Sequence, residues 1–115
     1  MSVKRFSWIL GHLHLNDNSL QPKRGDDKFD KLYKIRPLIV HLSERFLSVF
    51  RPGKNQAVDE SMVKFKGRSS LKQYMPKKPI KRGYKIWMRC DQSGFACQFQ
   101  IYTGKINDKV EKKLR

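Results

Sequence analysis

Acidic side chains are scarce in this chain. Ten Asp and Glu stand against 26 Lys and Arg, a formal net charge of +16 over 115 residues. From Ser61 to Cys90 there are ten Lys or Arg and no acid at all. That imbalance favours a polyanionic partner: DNA, RNA or an acidic membrane surface. Long apolar runs are also missing. None approaches the ~20 residues that a bilayer span needs, and the N-terminus lacks the continuous apolar core of a signal peptide, so a membrane is the weakest of the three partners. Cysteine is limited to Cys90 and Cys97. Without a Cys-x-x-Cys pair or a spaced Cys/His set, the sequence argues against a zinc site. His12 and His14, two apart on a predicted helix, do not share a face and read as ordinary polar residues. Repeats and low-complexity segments are absent.

Enough apolar residues are present to fold. They make up 38% of the chain, with seven Phe and two Trp, a globular composition with room for one small domain and a modest core. Val3, Phe6, Ile9, Leu10 and Leu13 recur at helical spacing, and Ser2 suits an N-cap, so an amphipathic helix is expected over residues 2–14, its stripe packed. Residues 15–26 read as a loop. A second helical stretch is expected over 27–50, with Asp26, Asp27 and Asp30 at the positive end of its dipole. Pro37 interrupts it, so the helix either kinks there or a new one begins with Pro37 in its first turn.

Three strands follow. The first is expected over residues 57–66 and stopped by Gly67. A basic connection fills 68–83, stiffened by Pro76 and Pro79. The second strand is expected over 84–90, a turn over 91–94 with Gly94 at positive φ, and the third over 95–102. If that turn closes a hairpin, Cys90 faces Phe95 and Cys97 faces Met88, so the two sulfurs are not cross-strand partners and free buried thiols are expected.

Two features carry chemistry. Asp59 sits among apolar neighbours on the first strand, sharing a face with Ala57, Ser61, Val63 and Phe65. A carboxylate there calls for a metal or a basic side chain unless it is solvated near the strand end. Structural ion pairs are the commoner outcome, and Glu60, on the opposite face, could be the paired residue instead. The second feature is the belt of Lys66, Arg68, Lys72, Lys77, Lys78, Lys81, Arg82 and Lys85, expected to track a phosphate backbone, with each neutralised phosphate steepening the salt dependence of binding. The plainer alternative is a solvated, solubilising loop.

The segments VDESMVKFKGR, KQYMPKKPIKRGYKIWMRCD and YTGK closely resemble the piggyBac transposase family and the host proteins derived from it. The resemblance extends to MSVKRFSWILGHLHLNDN and LYKIRPLIVHLSERF. It implies an α/β fold in which residues 1–56 are a helical lead-in from the DNA-binding and dimerisation region. Residues 57–104 would be the first three antiparallel strands of an RNase H-like core, and 105–115 a truncated tail. It implies that Asp59 is the first of three catalytic carboxylates and a ligand of Mg²⁺ in the complete enzyme. The implied partners are double-stranded DNA at transposon ends and TTAA targets, with no membrane, a homodimer in the full-length protein, and the nucleus as location. Because the other two carboxylates come later in the family, the chain resembles a fragment. Alone it is expected to be inactive and to bind no metal tightly. The alternative is a catalytically dead, transposon-derived DNA-binding protein.

Overall fold

The protein is described by a computed structural model covering residues 1–104; the tail expected at 105–115 lies outside the described residues. The chain divides into two compact units, residues 1–41 and residues 42 onward.

In the first unit, helix α1 spans Val3–His12. Its start is set by Ser2, whose Oγ accepts the Arg5 N–H at 3.2 Å, satisfying one of the donors a helix N-terminus leaves open. The apolar stripe forms as its spacing demands, but it is not packed: Phe6 is 54% exposed and Leu10 56%. The expected loop contains a short 3-10 turn, Asn18–Leu20. It is tied to the following segment from both sides: Asn16 Nδ2 donates to the Tyr33 carbonyl and the Tyr33 hydroxyl donates to the Asp17 carbonyl, each at 2.9 Å.

The second helix begins later than the apolar period suggests. Residues 27–32 form turns, a 3-10 turn covers Tyr33–Ile35, and α2 runs Arg36–Val49. Pro37 therefore lies in the first turn of a new helix, where its missing N–H costs nothing. The three aspartates do not serve the dipole of α2, whose first turn holds no acid. Asp26 and Asp30 instead accept the backbone N–H two residues on, at Lys28 and Leu32, each at 2.9 Å. This is local side-chain-to-backbone bonding of the kind that competes with helix. Asp30 also receives Arg36 through two bonds of 2.6 and 2.8 Å. That guanidinium holds the Asp30 carboxyl below the ordinary carboxylate range. Leu32, 5% exposed, is the buried apolar side chain of this unit among the described residues.

The second unit contains the C-terminal part of α2 and a four-stranded antiparallel sheet: β1 (Gln56–Lys64), β2 (Gln73–Tyr74), β3 (Arg82–Asp91) and β4 (Ala96–Ile101). β3 is central. It pairs with β1 along its full length on one side, and with β2 and then β4 on the other. The three expected strands are present. β2 is an addition inside the basic connection, too short to leave a period in the sequence. Directly paired residues share a face, so Ala57, Asp59, Ser61 and Val63 lie with Cys90, Met88, Ile86 and Tyr84. Phe99 pairs with Met88 on that face, and Phe46 of α2 meets it at 5.7 Å between ring centres. Phe46 and Phe50 also contact Phe95, at 6.3 and 4.3 Å. Each such aromatic pair adds about 0.5–1.5 kcal/mol beyond its buried area.

The β3–β4 hairpin closes as expected over residues 91–94, with Gly94 at φ 86°. Asp91 Oδ1 organises it, accepting the Ser93 hydroxyl (2.6 Å) and the N–H groups of Ser93 (3.0 Å) and Phe95 (3.2 Å). The register just beyond differs from expectation. Cys90 pairs with Ala96 and Arg89 with Gln98, so Cys97 is the extra residue of a β-bulge. Phe99, not Cys97, faces Met88. An alternation count cannot see one inserted residue. Both cysteines are free, and Cys97 is fully buried.

The Ser93 hydroxyl, then the Phe95 and Ser93 amides, hold the Asp91 carboxyl below its ordinary range. A lowered folded-state pKa means that this stabilisation is present above the unfolded-chain value of about 3.9. It is lost as pH falls through the folded value. Asp91→Asn is therefore expected to destabilise the protein near neutrality. The gap between variant and wild type in urea unfolding should close on acidification below about pH 4. A gap constant with pH would show that the charge of Asp91 contributes nothing.

Candidate nucleic-acid interface

A cleft of about 620 Å³ opens in the second unit, lined by Lys64, Lys66, Lys72, Tyr74, Pro79, Ile80, Lys81 and Arg82. Its construction follows from the strands. β1 carries Lys64 at its end and Lys66 just beyond. Gly83 pairs with Lys64 on one side and with Gln73 on the other, while Arg82 pairs with Tyr74. The first residues of β3 thus draw the end of β1 and the short β2 together. The Met75 N–H donates to the Lys81 carbonyl at 2.8 Å and the Lys78 N–H to the Met75 carbonyl at 3.1 Å. These bonds fold the connection into a closed loop, which returns Pro79, Ile80 and Lys81 to the rim.

Five cations thus gather around one concavity, and among the described residues no carboxylate pairs with any of them. Lys72 Nζ donates to the Gly67 carbonyl at 2.8 Å. Arg82 lies 5.4 Å from the ring centre of Tyr74, which is 62% exposed. Such a surface can take phosphate oxygens on its cations, with a flat aromatic face beside them.

Of the expected belt, Lys66, Lys72, Lys81 and Arg82 line this cleft. Arg68 and Lys77 are exposed but lie outside its lining. Lys78 is turned to Glu60, with Nζ 3.1 Å from Oε1. Lys85 lies over Trp87 at 4.2 Å and Tyr102 at 5.3 Å. Lys64 was not among the expected DNA-binding residues; as the last residue of β1 it reads as a strand position, and its period gave no cue to the cleft. Tyr74 was visible in the connection, but only β2 pairing places it beside Arg82.

Asp59 is exposed on β1, and its Oδ1 accepts the N–H of Glu60 at 2.7 Å. The ion pair to a lysine belongs to Glu60. Strand alternation puts Asp59 on the face opposite Glu60, Met62 and Lys64, so the structure does not bring it together with the cleft. Asp59 can offer one carboxylate to a cation. Among the described residues no group of three or more His, Cys, Asp and Glu could hold a metal ion, and Glu60 is neutralised on the other face. These residues therefore do not by themselves fit a two-metal centre, which needs carboxylates on both ions.

A family profile described as "Transposase IS4" matches residues 1–114. The chain is 41% identical over 106 residues to the human "PiggyBac transposable element-derived protein 3", covering 91% of this chain and 17% of that protein. It is 30% identical over 110 residues to the human "PiggyBac transposable element-derived protein 2", covering 96% of this chain and 18% of that one. The chain thus spans less than a fifth of the length of these relatives. Among solved structures, it matches the "Cryo-EM structure of piggyBac transposase synaptic complex with hairpin DNA" with a TM-score of 0.84 and 27% identity, over 99% of this chain and 25% of that one. A match over nearly the whole described fold, with the family profile covering the same residues, establishes that the chain belongs to the piggyBac transposase family.

Proposed function

We propose that this chain contributes a duplex-DNA phosphate-binding cleft and one catalytic carboxylate to a piggyBac-type DDE transposase that cuts and inserts DNA by phosphoryl transfer. The observation that carries the reading is the convergence of Lys64, Lys66, Lys72, Lys81 and Arg82 beside Tyr74. Support comes also from the solved relative, a transposase in a synaptic complex with hairpin DNA. In this reading the cleft holds the DNA backbone without reading sequence, because phosphate contacts position and base contacts specify. In the same reading Asp59 would hold Mg²⁺ through one carboxylate. The remaining carboxylates are not among the residues gathered around Asp59. Transposon ends and TTAA targets as substrates, a homodimer and a nuclear location belong to the same proposal.

A second reading keeps the cleft and drops the chemistry: a transposon-derived DNA-binding protein. It is favoured by the separation of Asp59 from the cleft. Both readings require DNA binding. In a titration of fluorescent duplex against single-stranded RNA of equal length, tighter binding of the duplex is expected. Its log-log salt slope should lie near −0.9 per engaged phosphate, or about −4.5 for five. Equal affinity for both, or a slope near zero, would overturn the cleft as a DNA site.

A further inference from the structure

The Glu60–Lys78 ion pair has no part in the proposed chemistry, yet it is the ion pair described in the second unit. Lys78 sits at the bend of the closed loop between Met75 and Lys81. The next residues, Pro79, Ile80, Lys81 and Arg82, all line the cleft, and Lys78 does not. The two backbone bonds of the loop close it on itself. The ion pair ties Lys78 across to β1. Glu60 shares its face with Lys64, the β1 residue of the cleft, four positions or about 13 Å along the strand.

We propose that Glu60 and Lys78 form a strut: Lys78 is a positioning residue that fixes the loop wall of the cleft against β1, and not a phosphate ligand. The idea rests on the cleft being the DNA site, and it deepens that reading by assigning an acid a role in binding a polyanion. The sign of the effect separates the strut from simple electrostatics. Glu60, about 13 Å along β1 from Lys64, is separated from that cation of the cleft by more than the ~8 Å Debye length at physiological salt. Neutralising it should therefore leave affinity unchanged or raise it slightly. If Glu60 is a strut, its loss instead frees the loop, and binding must then restore order at an entropic cost.

The test uses the intact protein in two assays. In the first, without DNA, hydrogen exchange is followed at the amides of residues 75–82. Glu60→Gln is expected to speed exchange at Met75 and Lys78. In the second, Glu60→Gln is expected to weaken duplex binding about two- to fivefold at 0.15 M salt, the range a partly exposed pair supports. The swap Glu60→Lys with Lys78→Glu keeps the net charge and the pair, and should restore both protection and affinity. Unchanged exchange in Glu60→Gln, or duplex binding as tight as wild type or tighter, would overturn the strut. Should the wild type fail to bind duplex, the DNA reading falls, and the exchange assay still decides whether the pair orders the loop.

Discussion

Gly83→Ala is expected to cost about 3 kcal/mol or more of folding stability, at the upper end for an overpacked site. It should also abolish duplex binding. Gly83 is buried at the junction of three strands, paired with Lys64 of β1 and Gln73 of β2. A Cβ there would overlap the Val63 carbonyl oxygen and lie 2.7 Å from its carbonyl carbon. These are backbone atoms, so no side-chain rotation relieves the contact, and β1 must part from β3 at the point where the cleft is assembled. Urea unfolding of the variant should show a lower midpoint at an unchanged slope. The contrast is Gly53→Ala, whose added Cβ meets nothing within 4 Å and which should be close to neutral. A Gly83 variant as stable as Gly53→Ala would show that the two strands do not approach as described.

Simultaneous replacement of Lys66, Lys81 and Arg82 by Gln is expected to weaken duplex binding on the order of 10²-fold at 0.15 M salt. With three fewer phosphates neutralised, the salt slope should fall by roughly 2.7 in magnitude. The three residues reach the cleft from different places: beyond the end of β1, the end of the loop and the start of β3. An effect shared among them would therefore map the concavity and not one loop. The matched control replaces Arg68, Lys77 and Lys85, which removes the same charge from positions outside the lining. Net charge alone attracts a polyanion over a Debye length, so the control should bind modestly more weakly with little change of slope. Equal weakening in both triples would mean that the belt acts as diffuse charge and that the cleft is incidental.

Much of this protein was legible in its residues. The family followed from long ordered motifs such as VDESMVKFKGR, and the local physics agreed with them. Ser2 capped the first helix, because a hydroxyl before an apolar period has one good use. The 91–94 turn and its flanking strands followed from Gly94 and the alternation after it. The helix restarting at Pro37 was one of two alternatives, and the side chain of Asp30, bonding back to Leu32 and forward to Arg36, shows why the earlier residues turn instead of coiling.

What the sequence determined by itself is the excess of positive charge and three of the four strands, since each depends on composition or on neighbours along the chain. Tertiary structure alone decided which cations lie together. Lys64, Lys66, Lys72, Lys81 and Arg82 converge because Gly83 lets β1 and β3 close while β2 pairs on the other side. Lys78 and Lys85, equally basic in sequence, are drawn to Glu60 and to aromatic rings. The bulge at Cys97 was decided the same way. Register is a property of paired strands, and a single chain read in order does not contain its partner.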